Sequence, residues 1–144
     1  MPYCTTADVA LAAGGDKFLR ELADYDRDGA RDSSAVDAAI ATADAWIDGE
    51  LAKRLAVPLA TVPELVKSIS MDESVYILKR RRNMATEADR DDHVERLELL
   101  RSIKTGDSTV GEDPQPAKSS QVVDAQTPRD SDKATSRDSM KGFW

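Results

Sequence analysis

The chain has 144 residues, 40% hydrophobic and 33% charged but only 5% aromatic, with a formal charge of −7. A length of this order makes one domain, and an apolar fraction to which alanine contributes much points to a thin core. The negative balance argues against sequence-independent binding of nucleic acid, which needs a basic footprint, though it leaves room for a local basic patch.

The single cysteine, Cys4, rules out an internal disulfide and fits a reducing compartment. The first residues lack the charged start and apolar run of a secretory signal. No window of about 18 apolar residues crosses a membrane. The expectation is a soluble, cytoplasmic protein.

Thr5 or Thr6 caps a short helix that runs to about Ala13, with Val9 and Leu11 as its main apolar residues. Gly14-Gly15 ends it. Asp16 caps a second short helix, Lys17 to about Ala23, which places Phe18, Leu19 and Leu22 on one face. Next comes Asp24-Tyr-Asp-Arg-Asp-Gly-Ala-Arg-Asp32. Asp24, Asp26 and Asp28 match positions 1, 3 and 5 of a calcium loop, Gly29 matches position 6 and Asp32 position 9. Position 12, a bidentate glutamate in such loops, is Ala35, and position 8 is Arg31. The spacing therefore favours an acidic turn over a tight metal site, with Asp32 or Ser33 capping the following helix.

A long helix is predicted over 34–55, where Val36, Ile40, Ala43, Ile47, Leu51 and Leu55 form one apolar stripe. At 1.5 Å per residue it is roughly 33 Å long. Trp46 lies beside the stripe, at the core edge or in an interface, and Gly49 suggests a close helix crossing. Pro58 and Pro63 push Val57 and Val62 out of helical conformation, so 56–62 is stiff and extended. Pro63 then opens a helix over 63–82, capped by Thr61 or Val62. Its inner side carries Leu65, Val66, Ile69, Glu73, Tyr76 and Ile77, and the buried carboxylate is expected to bond Tyr76 or another chain.

That helix ends in Lys79-Arg80-Arg81-Arg82. Cations there complement the helix dipole; the alternatives are acids of a neighbouring subunit or DNA phosphate. Thr86-Glu-Ala-Asp89 resembles a capping box, with Asp in place of the usual Glu. The helix it opens, 87–105, shows an apolar edge of Val94, Leu97, Leu100 (or Leu99) and Ile103, and Gly106 ends it. His93 lies next to that edge as a solvated or core-edge residue.

From Asp107 the composition turns to Pro, Ser, Thr, Asp, Gln and Lys. Such a segment cannot bury enough surface to offset its ordering entropy. The expected division is therefore a helical domain, 1–106, and an extended partner-binding tail, 107–144. Val122, Val123, Met140, Phe143 and Trp144 are the tail's candidate contacts, because aromatics dominate interface hot spots. The fold class is all-α: a small helical bundle of three longer helices and two short N-terminal ones, followed by the tail. One histidine and one cysteine stand far apart, and no Gly-rich phosphate loop is present. An enzyme is not expected, nor is a cofactor.

Several pieces, taken in order, carry a resemblance. They are Thr6-Ala-Asp8, the acidic turn Asp26-Arg-Asp-Gly-Ala30, and Ile47-Asp-Gly-Glu-Leu-Ala-Lys-Arg54 followed by Val57-Pro-Leu59 and Val62-Pro63. Tyr76–Arg82 and the closing Ser136-Arg-Asp-Ser-Met-Lys-Gly-Phe143 complete the set. Together they resemble the neck proteins of Mu-like phages, the head–tail adaptor or head-completion family. Two features depart from that pattern: Ala56 stands where an aromatic often follows, and 107–135 matches poorly. The resemblance implies a structural virion protein made in the host cytoplasm. It implies a homo-oligomeric ring, usually of twelve copies, at the head–tail junction beneath the portal protein. The ring would meet tail-terminator or neck proteins and pass double-stranded DNA without sequence specificity. Acidic channel walls suit that passage, since like charge suppresses phosphate binding. The rival reading is a calcium-responsive helical protein-binding module.

Overall fold

The computed structural model describes residues 1–110, and the tail candidates Val122, Val123, Met140, Phe143 and Trp144 lie outside the described residues. Five helices follow in order: α1 (Thr6–Ala12), α2 (Asp16–Ala23), α3 (Ser33–Leu51), α4 (Glu64–Arg81) and α5 (Glu87–Thr105). The described residues contain no β-strand, and the all-α expectation holds.

Helices α3 and α4 form the centre. Two apolar clusters share them. Val36, Ala39 and Ile40 of α3 meet Val75 and Leu78 of α4, with Val9 of α1 and Leu19 and Leu22 of α2. At the other end Ile47 and Leu51 meet Val66 and Ile69, with Leu100 and Ile103 of α5. The early residues of α3 thus meet the late residues of α4, so the two helices run antiparallel. Ile47, Leu51, Leu78, Leu100 and Ile103 are all at 0% exposure. Cutting any one to alanine is expected to cost about 2–5 kcal/mol, because the cavity adds to the lost transfer energy.

The ends of the helices follow local chemistry, with corrections. Thr5 and Thr86 each close a capping box, with Asp8 and Asp89 returning to the Thr amides at 2.8 Å. Asp accepts this geometry although Glu is the usual partner. Of the two main apolar residues of α1, Val9 is buried and Leu11 is 76% exposed, because so short a helix buries only one side. Asp16 is the first residue of α2 and not its cap; Gly15 holds that position, and Asp16 pairs with Arg20 and Arg31. Helix α3 ends at Leu51, short of the predicted Leu55, yet the following turn still delivers Leu55 to the core at 5% exposure. Gly49 explains no close crossing: a Cβ there would meet nothing within 4 Å. Pro63 is the cap of α4 with extended ψ of 148°, one residue earlier in the helix frame than expected. The Val57–Pro58 peptide bond is cis.

Gly106 terminates α5 with φ of 93°, a left-handed value that glycine takes without strain. The Asp107 amide returns to the Ser102 carbonyl at 2.9 Å. Residues 107–110 remain with the bundle: Arg54 donates to the Ile103 and Ser108 carbonyls at 2.7 and 3.3 Å, and Val110 is 5% exposed. The packed unit therefore runs four residues past the predicted boundary at Gly106.

Candidate functional site

The acidic loop between α2 and α3 keeps its carboxylates together. Asp24, Asp26 and Asp28 each place an oxygen within 4.8 Å of the others. Those oxygens are already at work. Asp24 accepts from the amides of Asp28 and Gly29 at 3.1 and 3.0 Å, and Asp28 accepts from Ala30 at 2.7 Å. Asp26 accepts from the Asp28 amide at 3.3 Å, which pulls its carboxyl down. Lost hydration and the facing Asp28 and Asp32 charges outweigh that and leave it raised. Asp32 turns to the Tyr25 amide at 2.9 Å, so it neither joins the cluster nor caps α3 with its side chain. Left-handed φ values at Arg27 and Gly29 close the turn. The donor set holds three carboxylates, with Ala35 at the twelfth loop position. This arrangement fits a self-capped turn better than a calcium cage, which takes six or more oxygens.

The basic end of α4 divides by partner. Lys79 is turned inward and pairs with Asp89 at 2.6 Å, which holds that carboxyl at about 2. Arg82 lies 5.9 Å over the Tyr25 ring and reaches the Glu21 carbonyl at 3.4 Å, tying α4 to α2 and the acidic loop. Arg80 and Arg81 are exposed. Of the four candidates, two therefore serve the fold and two face outward.

A buried carboxylate that joins α4 to α5 carries no motif that marks it in the sequence. Glu73, at 4% exposure, bonds neither Tyr76 nor another described residue of α4. It spans to α5, where His93 Nδ1 lies 2.9 Å from Oε1 and Arg96 Nε donates to Oε2 at 3.3 Å. The His93 ring stacks with Tyr76 at 4.5 Å and with Trp46 at 5.3 Å. Trp46 is thus a core-edge residue. A second seam joins the N-terminal strap to α3 and α4. Asp44 accepts from the Tyr3 amide at 2.9 Å and from Ser70 Oγ at 2.6 Å. The Tyr3 hydroxyl donates to Asp48 and accepts from the Leu59 amide at 3.0 Å. Burial first, then the Asp48 partner, pushes that hydroxyl's pKa up. Cys4 Sγ lies 3.2 Å from Ser70 Oγ, and burial raises its thiol above the usual range. A buried, protonated thiol is a packing group and not a nucleophile. The signals for these seams are single polar residues on apolar faces, Glu73, Ser70 and Asp44, whose partners lie 20 or more residues away.

Fold and polar groups together define a small all-α protein, whose buried polar side chains join helices. The chain belongs to the Bacteriophage Mu, Gp36 family, whose model matches residues 3–127, and is a Mu-like phage protein. The match runs through the whole helical unit and into the polar tail. No curated protein matches the chain.

Proposed function

We propose that this protein is a head–tail connector, an adaptor subunit of a tailed-phage neck. In this reading its copies form a ring, with twelve as the expected number, between the portal protein and the tail-terminator or neck proteins. The ring continues the DNA channel, and double-stranded DNA passes it without sequence-specific contact. The protein works in the virion, after synthesis in the host cytoplasm, as a structural part with no enzymatic step. The family match over 3–127 carries the reading. The internal chemistry supports it: Cys4 and His93 are held by packing partners of other helices, and the buried carboxylates brace the bundle. The polar tail beyond Val110 is the docking arm, with Phe143 and Trp144 as its anchors and Val122 and Val123 as a short pairing segment.

The test is electron microscopy of virions carrying a tagged copy, joined to a truncation. A chain ending at Val110 keeps the packed unit whole, including the Val110 contact that a cut at Gly106 would remove. It is expected to stay helical and to fail to join heads to tails. Density for the tag away from the head–tail junction overturns the adaptor reading. Normal neck assembly by the truncated chain overturns the role of the tail.

A further inference from the structure

Beside the Glu73 pairing, between α4 and α5 and against the end of α1, lies a cleft of about 530 Å³. Val75 and Leu99 supply its apolar floor, and its walls carry Asp72, Asp92 and Glu95. Both cations that line the cleft are already paired, Lys79 with Asp89, which lines it too, and Arg96 with Glu73. Among the described residues, no cation pairs with Asp72, Asp92 or Glu95. Lost hydration raises the Asp72 carboxyl, with Asp92 and Glu73 adding to the effect against the pull of Arg96. An acid whose ionised form is disfavoured gains from an incoming cation.

The complementary surface is on the same chain. Arg80 and Arg90 are exposed and line one hollow of about 330 Å³ at the α4–α5 turn, with no carboxylate in it. Neither guanidinium has an ion-pair partner among the described residues. At 100° per residue Arg90 and Asp92 lie roughly 160° apart round α5. On α4 Asp72 and Arg80 lie about 80° apart by the same rule, and Tyr76 lines both the cleft and the hollow, so the two patches adjoin. Adjoining patches of opposite sign let one copy set its basic patch against the acid patch of another.

We propose that the Asp72–Asp92–Glu95 cleft receives the Arg80 and Arg90 side chains of a second copy of this chain. The contact rests on the adaptor reading for its biological setting, and it deepens that reading by naming the two halves of the subunit interface. Guanidinium suits the cleft because its planar fork bonds carboxylates in pairs while its face lies on apolar floor. The charge pairs sit at the rim of the contact, so they set register and salt dependence more than raw affinity.

Charge reversal on the full chain tests the contact, read by sedimentation velocity in low and high salt. The wild type is expected to self-associate in low salt and to dissociate as salt screens the pairs. Asp72→Lys with Asp92→Lys is expected to weaken association roughly tenfold or more, and Arg80→Glu with Arg90→Glu to do the same. Both reversals in one chain, or an equal mixture of the two variants, restore it. Circular dichroism checks the fold. Asp92→Asn and Arg80→Gln replace the reversals if either melts early. The contact is overturned if the wild type stays monomeric, if either reversal assembles normally, or if the combined chain is not rescued. Loss of DNA binding on reversal of the arginines with unchanged sedimentation also overturns it. None of these outcomes bears on whether the protein sits in the virion neck. Its absence from virions would leave the subunit contact standing and remove the adaptor reading.

Discussion

The acidic loop and the helix-spanning seams use the same residue types to different ends. In 24–32 the carboxylates accept from amides two to seven residues away and stay largely in solvent. Their removal exposes donors that water can satisfy. In the seams, Asp44, Asp48 and Glu73 bridge segments 20 to 45 residues apart, and their partners are buried or half-buried. A buried polar group that loses its partner retains its full desolvation cost, whereas an exposed one does not. The number of acids in a stretch thus says little about their weight; the sequence distance to the partner says more.

The sharpest break of that comparison is at Glu73. Glu73→Ala leaves the His93 and Arg96 side chains without their carboxylate. It is expected to lower stability by about 2–3 kcal/mol, below the 3–5 of a fully buried pair, because those partners keep some solvent contact. Urea denaturation reads the effect, and an unmoved midpoint refutes it. Tyr3→Phe comes next. The change orphans the Leu59 amide and one Asp48 contact, for about 1–2 kcal/mol by the same measurement. Thr86→Ala removes one cap and is expected to cost about 1 kcal/mol.

The same caps give a pH dependence. Hydrogen bonds from the Thr5 hydroxyl and amide, with Lys67 beside them, hold Asp8 at about 2; Lys79 and then the Thr86 donors do so for Asp89. Both folded values lie below the unfolded value near 4. Their contribution is therefore complete above about pH 4 and is lost as pH falls toward 2. A stability profile that stays flat through that acid window would contradict this assignment. The smallest effect belongs to the loop. Asp26→Asn is expected to leave the urea midpoint essentially unmoved, as exposed substitutions do. Calcium is expected to leave the melting temperature unmoved; micromolar binding by calorimetry would reverse the ranking of the two regions.

Much of the fold is legible in the order of the residues. The stripe Val36–Ile40–Ala43–Ile47–Leu51 is buried as its period requires, and the Thr5 cap, the Thr86 box and the Gly106 stop lie where their residue types place them. These are short-range matters, decided by backbone period and by side chains that reach amides within one turn. Periodicity misleads where a helix has more than one face to offer. Val94 reads as core by spacing but is 48% exposed, while Ser70 and Ser74 read as polar but are at 0%. Helix α5 gives Leu100 and Ile103 to the core, and its earlier inward position is taken by His93 against Tyr76 and Trp46, which leaves Val94 outside.

The sequence alone determined five helices, their approximate limits and the change to a polar composition after Gly106, because each depends on local period or composition. Tertiary structure alone decided which carboxylates are braces and which are surface. It committed Lys79 and Arg82 to the fold and left Arg80 facing out beside Arg90, and it opened an acid-walled cleft between α4 and α5. The physical reason is range: a hydrogen bond within a turn is set by neighbours in the chain, whereas one between helices exists only after the apolar stripes have chosen how those helices pack.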